Sequence, residues 1–233
     1  MIQATSLPAD PLDMPDQYFQ RTTPAEQERH RHKLAHLTPQ SWLVEEVPPA
    51  EGGAWTVELV TMDWDEPGLL DRIFEAILRC INIPEGVQVR RARIFTGRGG
   101  QVVNLLELES HQGQPLTPAS RELVLQELGR IRRGERGVLD TIQHFPFSTP
   151  VPLVTGVPSL DNGRSPDYTY LELEVERLSN RFTSVLLHFL ARSELWLNIQ
   201  VAEFTQGPRA RYAFYVVDKH GRKLRDSHFV RHR

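Results

Sequence analysis

One cysteine, Cys80, stands among 233 residues, so no intramolecular disulfide can form, and that usage fits a reducing compartment. Long apolar runs are also missing. No stretch approaches the roughly 18 to 20 apolar residues that a bilayer span needs, so no membrane partner is expected. The first sixteen residues hold acids and prolines but neither Lys nor Arg, which argues against a cleaved leader and makes a cytoplasmic location the expectation. No glycine-rich phosphate loop, nucleophile elbow or paired metal motif occurs, which argues against an enzyme and leaves no catalytic residue to nominate. His32 and His36 have the one-turn spacing that zinc sites use, but no acid or cysteine is placed to complete a shell. His30, His32 and His36 therefore read as a solvated helix face, with neither metal nor cofactor expected. Cys80 lies beside an apolar helix face and reads as a structural thiol.

What is present is unevenly spread. The net charge is only −3, yet Ser41 to Cys80 carries nine acids against two bases and Thr205 to Arg233 eight bases against two acids. The basic end reads as a solvated tail rather than a phosphate-binding surface.

Prolines and small polar residues divide the chain at 1–15, 47–53 and 146–166. The resulting units are an N-terminal extension with one helix (1–53), a first domain (54–145), a Pro/Gly-rich linker (146–166) and a second domain (167–233). In the extension, Thr23-Pro24 opens a polar helix that runs to about Leu37. In the linker, Val151 to Val154 has the composition of an edge strand. The first domain reads strand (Trp55, Val57, Leu59), then a helix with Leu69, Leu70, Ile73, Phe74, Ile77 and Leu78 on one face. Val87 to Phe95 and Val102 to Leu108 follow as a hairpin around Gly97-Arg98-Gly99-Gly100, with a slip of register near Arg90-Arg91 that predicts a bulge. Thr117-Pro118 opens a second helix carrying Val124, Leu128 and Ile131.

The second half repeats this order: a strand at Tyr168 to Val175, a helix face with Phe182, Val185, Leu186, Phe189 and Leu190, and strands at Leu197 to Phe204 and Arg211 to Val217. Ser110-His111-Gln112-Gly113 after the first hairpin matches Asp218-Lys219-His220-Gly221 after the second. This is an internal duplication of about a hundred residues, whose second copy ends before a full last helix. A unit of this order packs two helices on one face of an antiparallel sheet, so the expected fold class is α+β: two ferredoxin-like units preceded by a polar helix.

Asp65-Glu66-Pro67-Gly68-Leu69-Leu70 after an apolar strand, with Arg91-Ala92-Arg93-Ile94-Phe95-Thr96 in the hairpin, resembles an ACT domain, a small regulatory module that binds amino acids. The chain is most similar to the tandem ACT-domain (βαββαβ) regulatory region in the C-terminal part of the bacterial PII uridylyltransferase/uridylyl-removing family, which senses glutamine. Tyr18-Phe19-Gln20-Arg21-Thr22-Thr23-Pro24 resembles the connector before the first domain there. His144-Phe145-Pro146, Leu160-Asp161-Asn162 and Tyr168-Thr169-Tyr170-Leu171-Glu172 resemble the linker into the second. Phe214-Tyr215-Val216-Val217-Asp218 with Gly221 resembles its last hairpin strand. The resemblance runs from about Met14 to Arg225, and nothing resembles the family's nucleotidyltransferase or hydrolase domains.

The resemblance implies an amino-acid effector beside the first strand-to-helix loop. The candidate residues there are Asp63, Asp65, Glu66, Pro67, Gly68 and Leu69, with Asn104 on a neighbouring strand as an amide partner. Helix-start N–H groups accept a carboxylate, Gly68 lets the backbone approach, and an acid pairs with the α-ammonium group. The same residues also make an ordinary helix start. The second loop, Glu176-Arg177-Leu178-Ser179-Asn180-Arg181, lacks the Pro-Gly step, so Ser179 and Asn180 mark only a degenerate second site. The expected function is noncatalytic regulation through a partner interface, with self-association through ACT sheets or helices and a PII-type or metabolic enzyme as partner. The alternative is a ligand-free interaction or oligomerisation module. Nucleic acid is not expected, because Phe95 is the only aromatic on the first unit's two central strands.

Overall fold

A computed structural model describes residues 12–38, 41–47, 55–62, 69–80, 83–132, 154–192, 197–206 and 208–224. The elements are α1 (Asp16–Arg21), α2 (Pro24–His36), β1 (Trp42–Val47), β2 (Trp55–Met62), α3 (Leu69–Arg79), β3 (Gln88–Thr96), β4 (Gln101–Glu109), α4 (Pro118–Arg132), β5 (Ser159–Asp161), β6 (Thr169–Val175), α5 (Asn180–Arg192), β7 (Asn198–Thr205) and β8 (Ala210–Val217). The chain is α+β, and the eight strands among the described residues form one antiparallel sheet in the order β1-β2-β4-β3-β7-β8-β6-β5.

That single sheet corrects the expectation of two. β3 and β7 would each be an exposed edge of its own half, and pairing the two edges removes both. The expected slip in β3 is there, between Val89 and Arg91, and β7 has its counterpart between Ile199 and Val201. Arg91 and Val201 are thus the first residues beyond matching bulges. Across the seam Arg91 pairs with Thr205, Arg93 with Glu203 and Phe95 with Val201. The pairing is symmetric about Arg93–Glu203, so a pseudo-twofold axis passes through that pair. The duplication reaches the turns as well. Ser110 and Asp218 each accept two backbone N–H groups, from Gln112 and Gln114 and from His220 and Arg222. Gly113 and Gly221 both take positive φ, +74° and +73°, where a Cβ would be strained.

One face of the sheet carries α3, α4 and α5. The alternate residues Trp55, Val57 and Leu59 of β2 meet Ile73, Phe74 and Ile77 of α3 and Val124 and Leu128 of α4. Ala92, Ala202 and Phe204 continue this core through the seam. Thr117 Oγ1 accepts the Ser120 N–H at the start of α4, as its sequence position predicts.

The opposite face is not left bare, another correction to the expectation of helices on one face only. The leading segment, Leu12 to Leu37, lies across it as a strap. Leu12, Met14, Tyr18 and Leu34 join Val60, Phe95, Leu105, Tyr168, Tyr170 and Tyr215 in a second core that spans both halves. α2 begins with a capping box, Thr23 N–H to Glu26 Oε2 and Glu26 N–H to Thr23 Oγ1. A short helix, α1, precedes it where sequence predicts none.

Further differences concern edges and histidines. β1 falls in the stretch expected to hold only a helix, and it pairs along the whole of Trp42–Val47 with Thr56 to Thr61. The second half's edge strand is Ser159–Asp161, whereas Val154 makes a single bridge to Val175 and residues 151–153 lie outside the described residues. His30 is fully buried, not solvated, because it faces Glu58 and Tyr18 under the strap; His32 and His36 stack at the surface, 4.5 Å apart. Cys80 is buried and its thiol, pushed up to about 12 by burial, remains protonated, as a structural residue should. No described helix is long and apolar enough to cross a membrane.

Candidate functional site

Asp63, Asp65, Glu66, Pro67 and Gly68 lie outside the described residues. The frame on either side of them is described. β2 ends at Met62, α3 begins at Leu69, and Leu69 is buried in the core on the helix face. Asn104 lies opposite Leu59 on one side and Ile94 on the other, so it too points to the helix face, where it is 1% exposed. Its Nδ2 donates to the Leu59 carbonyl at 3.5 Å, the outer limit of a hydrogen bond.

Thr61 is a further candidate residue, one that strand periodicity alone does not single out. It follows Trp55, Val57 and Leu59 in the inward phase of β2, is 0% exposed, and its Oγ1 has no hydrogen-bond partner among the described residues. A buried hydroxyl without a partner costs about 1–3 kcal/mol, so Thr61 marks an unsatisfied polar position at this end of the sheet. The signal was available: a hydroxyl at a core-phased position, two residues before the loop. Thr61 and Asn104 therefore offer a hydroxyl and an amide on the helix face, on either side of the β2–β4 pairing that leads to the loop.

In the second half the matching position is filled from within. Asn104 stands six residues before Ser110, and Tyr212 stands six before Asp218. Tyr212 is 0% exposed, its hydroxyl hydrogen-bonds Thr183 Oγ1 at 2.8 Å, and its ring contacts those of Phe182 and Phe204. Burial raises the Tyr212 pKa, so the phenol stays a neutral donor. The second half thus carries a large, internally hydrogen-bonded side chain at the position that Asn104 holds in the first.

Ser179 and Asn180 are also committed to the fold. The Ser179 carbonyl accepts the Thr183 N–H at 2.8 Å and its Oγ accepts from Phe182 N at 3.4 Å, so Ser179 starts α5. Asn180 reaches across the seam: its Oδ1 accepts the Val89 N–H at 3.1 Å and its Nδ2 donates to the Val87 carbonyl at 2.7 Å. One planar amide thereby replaces a strand residue beside β3, beyond the Arg90 carbonyl that Gln206 N–H reaches. Val87 and Val89 are buried, so Asn180→Ala strands a donor and an acceptor without water. A loss of about 1–3 kcal/mol is expected in urea unfolding; an unchanged midpoint would show that the backbone finds other partners.

Charge gathers on the strap side. Glu58 has a side chain with no exposure, yet it receives Arg29 Nε and Nη2 at 3.0 and 2.7 Å and Lys33 Nζ at 2.7 Å. His30 Nε2 stands 3.1 Å from the same carboxylate, a close contact not aligned as a hydrogen bond, while its Nδ1 bonds the Tyr18 hydroxyl at 2.8 Å. Burial alone would raise the Glu58 pKa. The contacts from His30, Arg29 and Lys33 outweigh it and hold the carboxyl far below the usual range. Among the described residues no group of three or more His, Cys, Asp or Glu side chains could hold a metal ion. Phe95, Phe204, Tyr212, Phe214 and Tyr215 on the central strands are all buried, so these rings offer no base-stacking platform.

No family model matches the chain. Among curated proteins it is similar to a bifunctional uridylyltransferase/uridylyl-removing enzyme from Phenylobacterium zucineum, with 33% identity over 177 residues, which is 73% of this chain. The chain spans 18% of the length of that relative.

Proposed function

We propose that this is a noncatalytic regulatory protein built of two ACT-type units, which binds a small amino acid beside the β2–α3 loop and signals through a partner interface. Glutamine is the first candidate ligand, and nitrogen or amino-acid status the signal. The observation that carries the reading is the buried Thr61 hydroxyl, without a partner among the described residues, near Asn104 at the end of the sheet where the loop departs. The pseudo-twofold duplication and the similarity to a uridylyltransferase/uridylyl-removing enzyme support it. The effector reading is confined to the first half, since Tyr212 fills the corresponding position of the second. Isothermal titration against the twenty amino acids tests it: heat is expected with at least one, and it should vanish in Thr61→Val and Asn104→Ala variants that remain folded. No heat and no thermal shift at millimolar concentration would end the effector reading.

A second reading, an interaction or oligomerisation module, is favoured by α5. Phe189 is 66% exposed and Val185 49%, at positions four residues apart on one flank of the helix. Light scattering after gel filtration separates the two readings. Self-association that ignores every amino acid and is lost in Phe189→Ser belongs to the module.

A further inference from the structure

The strap is attached to the sheet differently from the helices of the other face. α3 is anchored by a row of buried apolar side chains, among them Ile73, Phe74 and Ile77, whereas α1 buries only Tyr18 and α2 only His30 and Leu34. Beside those few apolar contacts, α1 and α2 are held by a set of ion pairs that reach four different strands. Arg29 and Lys33 reach Glu58 on β2, and Lys33 also reaches Glu45 on β1 at 2.7 Å. Glu26 takes Arg93 of β3 at 2.9 Å. Arg21 pairs with Glu203 of β7.

Arg21 is the telling residue. Its backbone carbonyl accepts Arg93 Nη1 at 2.7 Å, from the first half, while its own guanidinium holds Glu203, from the second. Arg93 and Glu203 are the facing pair through which the pseudo-twofold axis runs. One strap residue is thus bonded to both members of the pair at the centre of the seam. Ahead of it, the Asp13 carbonyl accepts the Arg98 N–H at 3.0 Å, and Met14 lies in the core shared with Tyr168 and Tyr215. Ion pairs of this kind depend on aligned geometry in a way that apolar contact does not. A relative shift of the two halves would not allow both Arg21 contacts to be kept at once.

We propose that Leu12–Leu37 is a releasable strap that reports the state of the seam: clamped to both halves when they are in the present register, and freed as a unit when they shift. Freeing it bares Glu58, Arg93 and Phe95, a surface hidden in the docked form. For its trigger, an amino acid bound beside the β2–α3 loop, the inference rests on the reading above; the clamp itself does not. Elements that open first are those with few buried apolar contacts.

Hydrogen exchange followed by mass spectrometry on the full chain tests both parts. In Arg21→Gln, and separately in Glu203→Gln, exchange of peptides within residues 12–37 is expected to rise on the order of tenfold, the loss of one charge-assisted bond, with β2 and β4 as protected as before. Unchanged strap exchange, or an equal rise throughout the sheet, would overturn the clamp. Millimolar glutamine is the probe for the trigger, and it is expected to alter strap exchange in the unmodified chain. Binding heat without any such change would overturn the reporting role. If glutamine gives no heat, the effector reading fails for that ligand and the two variants alone decide whether the strap is a separate, releasable unit.

Discussion

Replacing Glu58 by Gln should lower the thermal midpoint at neutral pH by roughly 6–12 °C, which corresponds to about 3 kcal/mol in a domain of this size. The carboxylate is wholly buried and its countercharges come from a single helix, so the substitution leaves Arg29 and His30 facing a neutral amide. Lys33 keeps Glu45 and Arg29 is one-third exposed, so the loss falls at the lower end for a broken buried pair. The pH dependence follows from the direction of the shift. A carboxyl whose folded pKa lies below its ordinary value contributes stability above that value and loses it as pH falls toward the folded pKa. The unmodified chain should therefore lose stability below about pH 5, and its advantage over Glu58→Gln should shrink with acidification. The groups facing Glu58 are Arg29, His30 and Lys33 from α2, with Tyr18 from α1 behind His30, and Glu45 opposite it on β1, a like charge that Lys33 bridges. Glu26, also held below its ordinary range despite burial, by Thr23 and Arg93, adds to the same trend. Thermal melts of both proteins between pH 3 and 8 check the prediction, and an undiminished difference at the acid end would place the loss in packing rather than in charge.

How much of this could be read beforehand depends on whether the cause is local. The bulge at Arg90 shows in the sequence as a break in period two, and the paired turns show as Gly113 and Gly221 at matched offsets; both are properties of a few adjacent residues. The seam has no such signature. Ala92 and Ile94, like Ala202 and Phe204, alternate as in any strand with one face buried, and nothing near them says that the neighbouring strand belongs to the other half. Glu58 reads as the outward phase of β2, and it is buried only because a helix some 25 to 29 residues earlier comes back over it. His30 was misjudged for the same reason. At the candidate site, Asn104 could be named because the resemblance pointed to it. Thr61 is not legible in the same way, because a hydroxyl in a strand is ordinary until its lack of a partner among the described residues is known.

The second large effect is expected where the two halves share a core. Phe204→Ala should cost about 3–5 kcal/mol and should destabilise both halves together. Phe204 is 1% exposed on β7 and meets Phe74 of α3 at 5.6 Å between ring centroids, Tyr212 at 5.1 Å and Phe214 at 5.5 Å. It therefore bonds first-half helix to second-half hairpin through one side chain. Across the strand pairing its neighbours are Ala92 of β3 and Tyr212 of β8, and Ala202 lies two residues along the same face. Alanines cannot expand into the space that a phenyl ring vacates, so little of the cavity should close. Trp42, Trp55 and Trp64 belong to the first half and Trp196 to the second, so a Trp196→Phe background gives a direct readout: in urea, the fluorescence of the remaining tryptophans should report a lower midpoint for a substitution made in the second half. Far-UV circular dichroism should move with it as one transition. Phe189→Ala, at an exposed site, is the control and should shift either signal by less than about 0.5 kcal/mol. Two separate transitions, with the tryptophan signal unmoved by Phe204→Ala, would mean that the halves fold independently and that the sheet is continuous in hydrogen bonding without being continuous in stability.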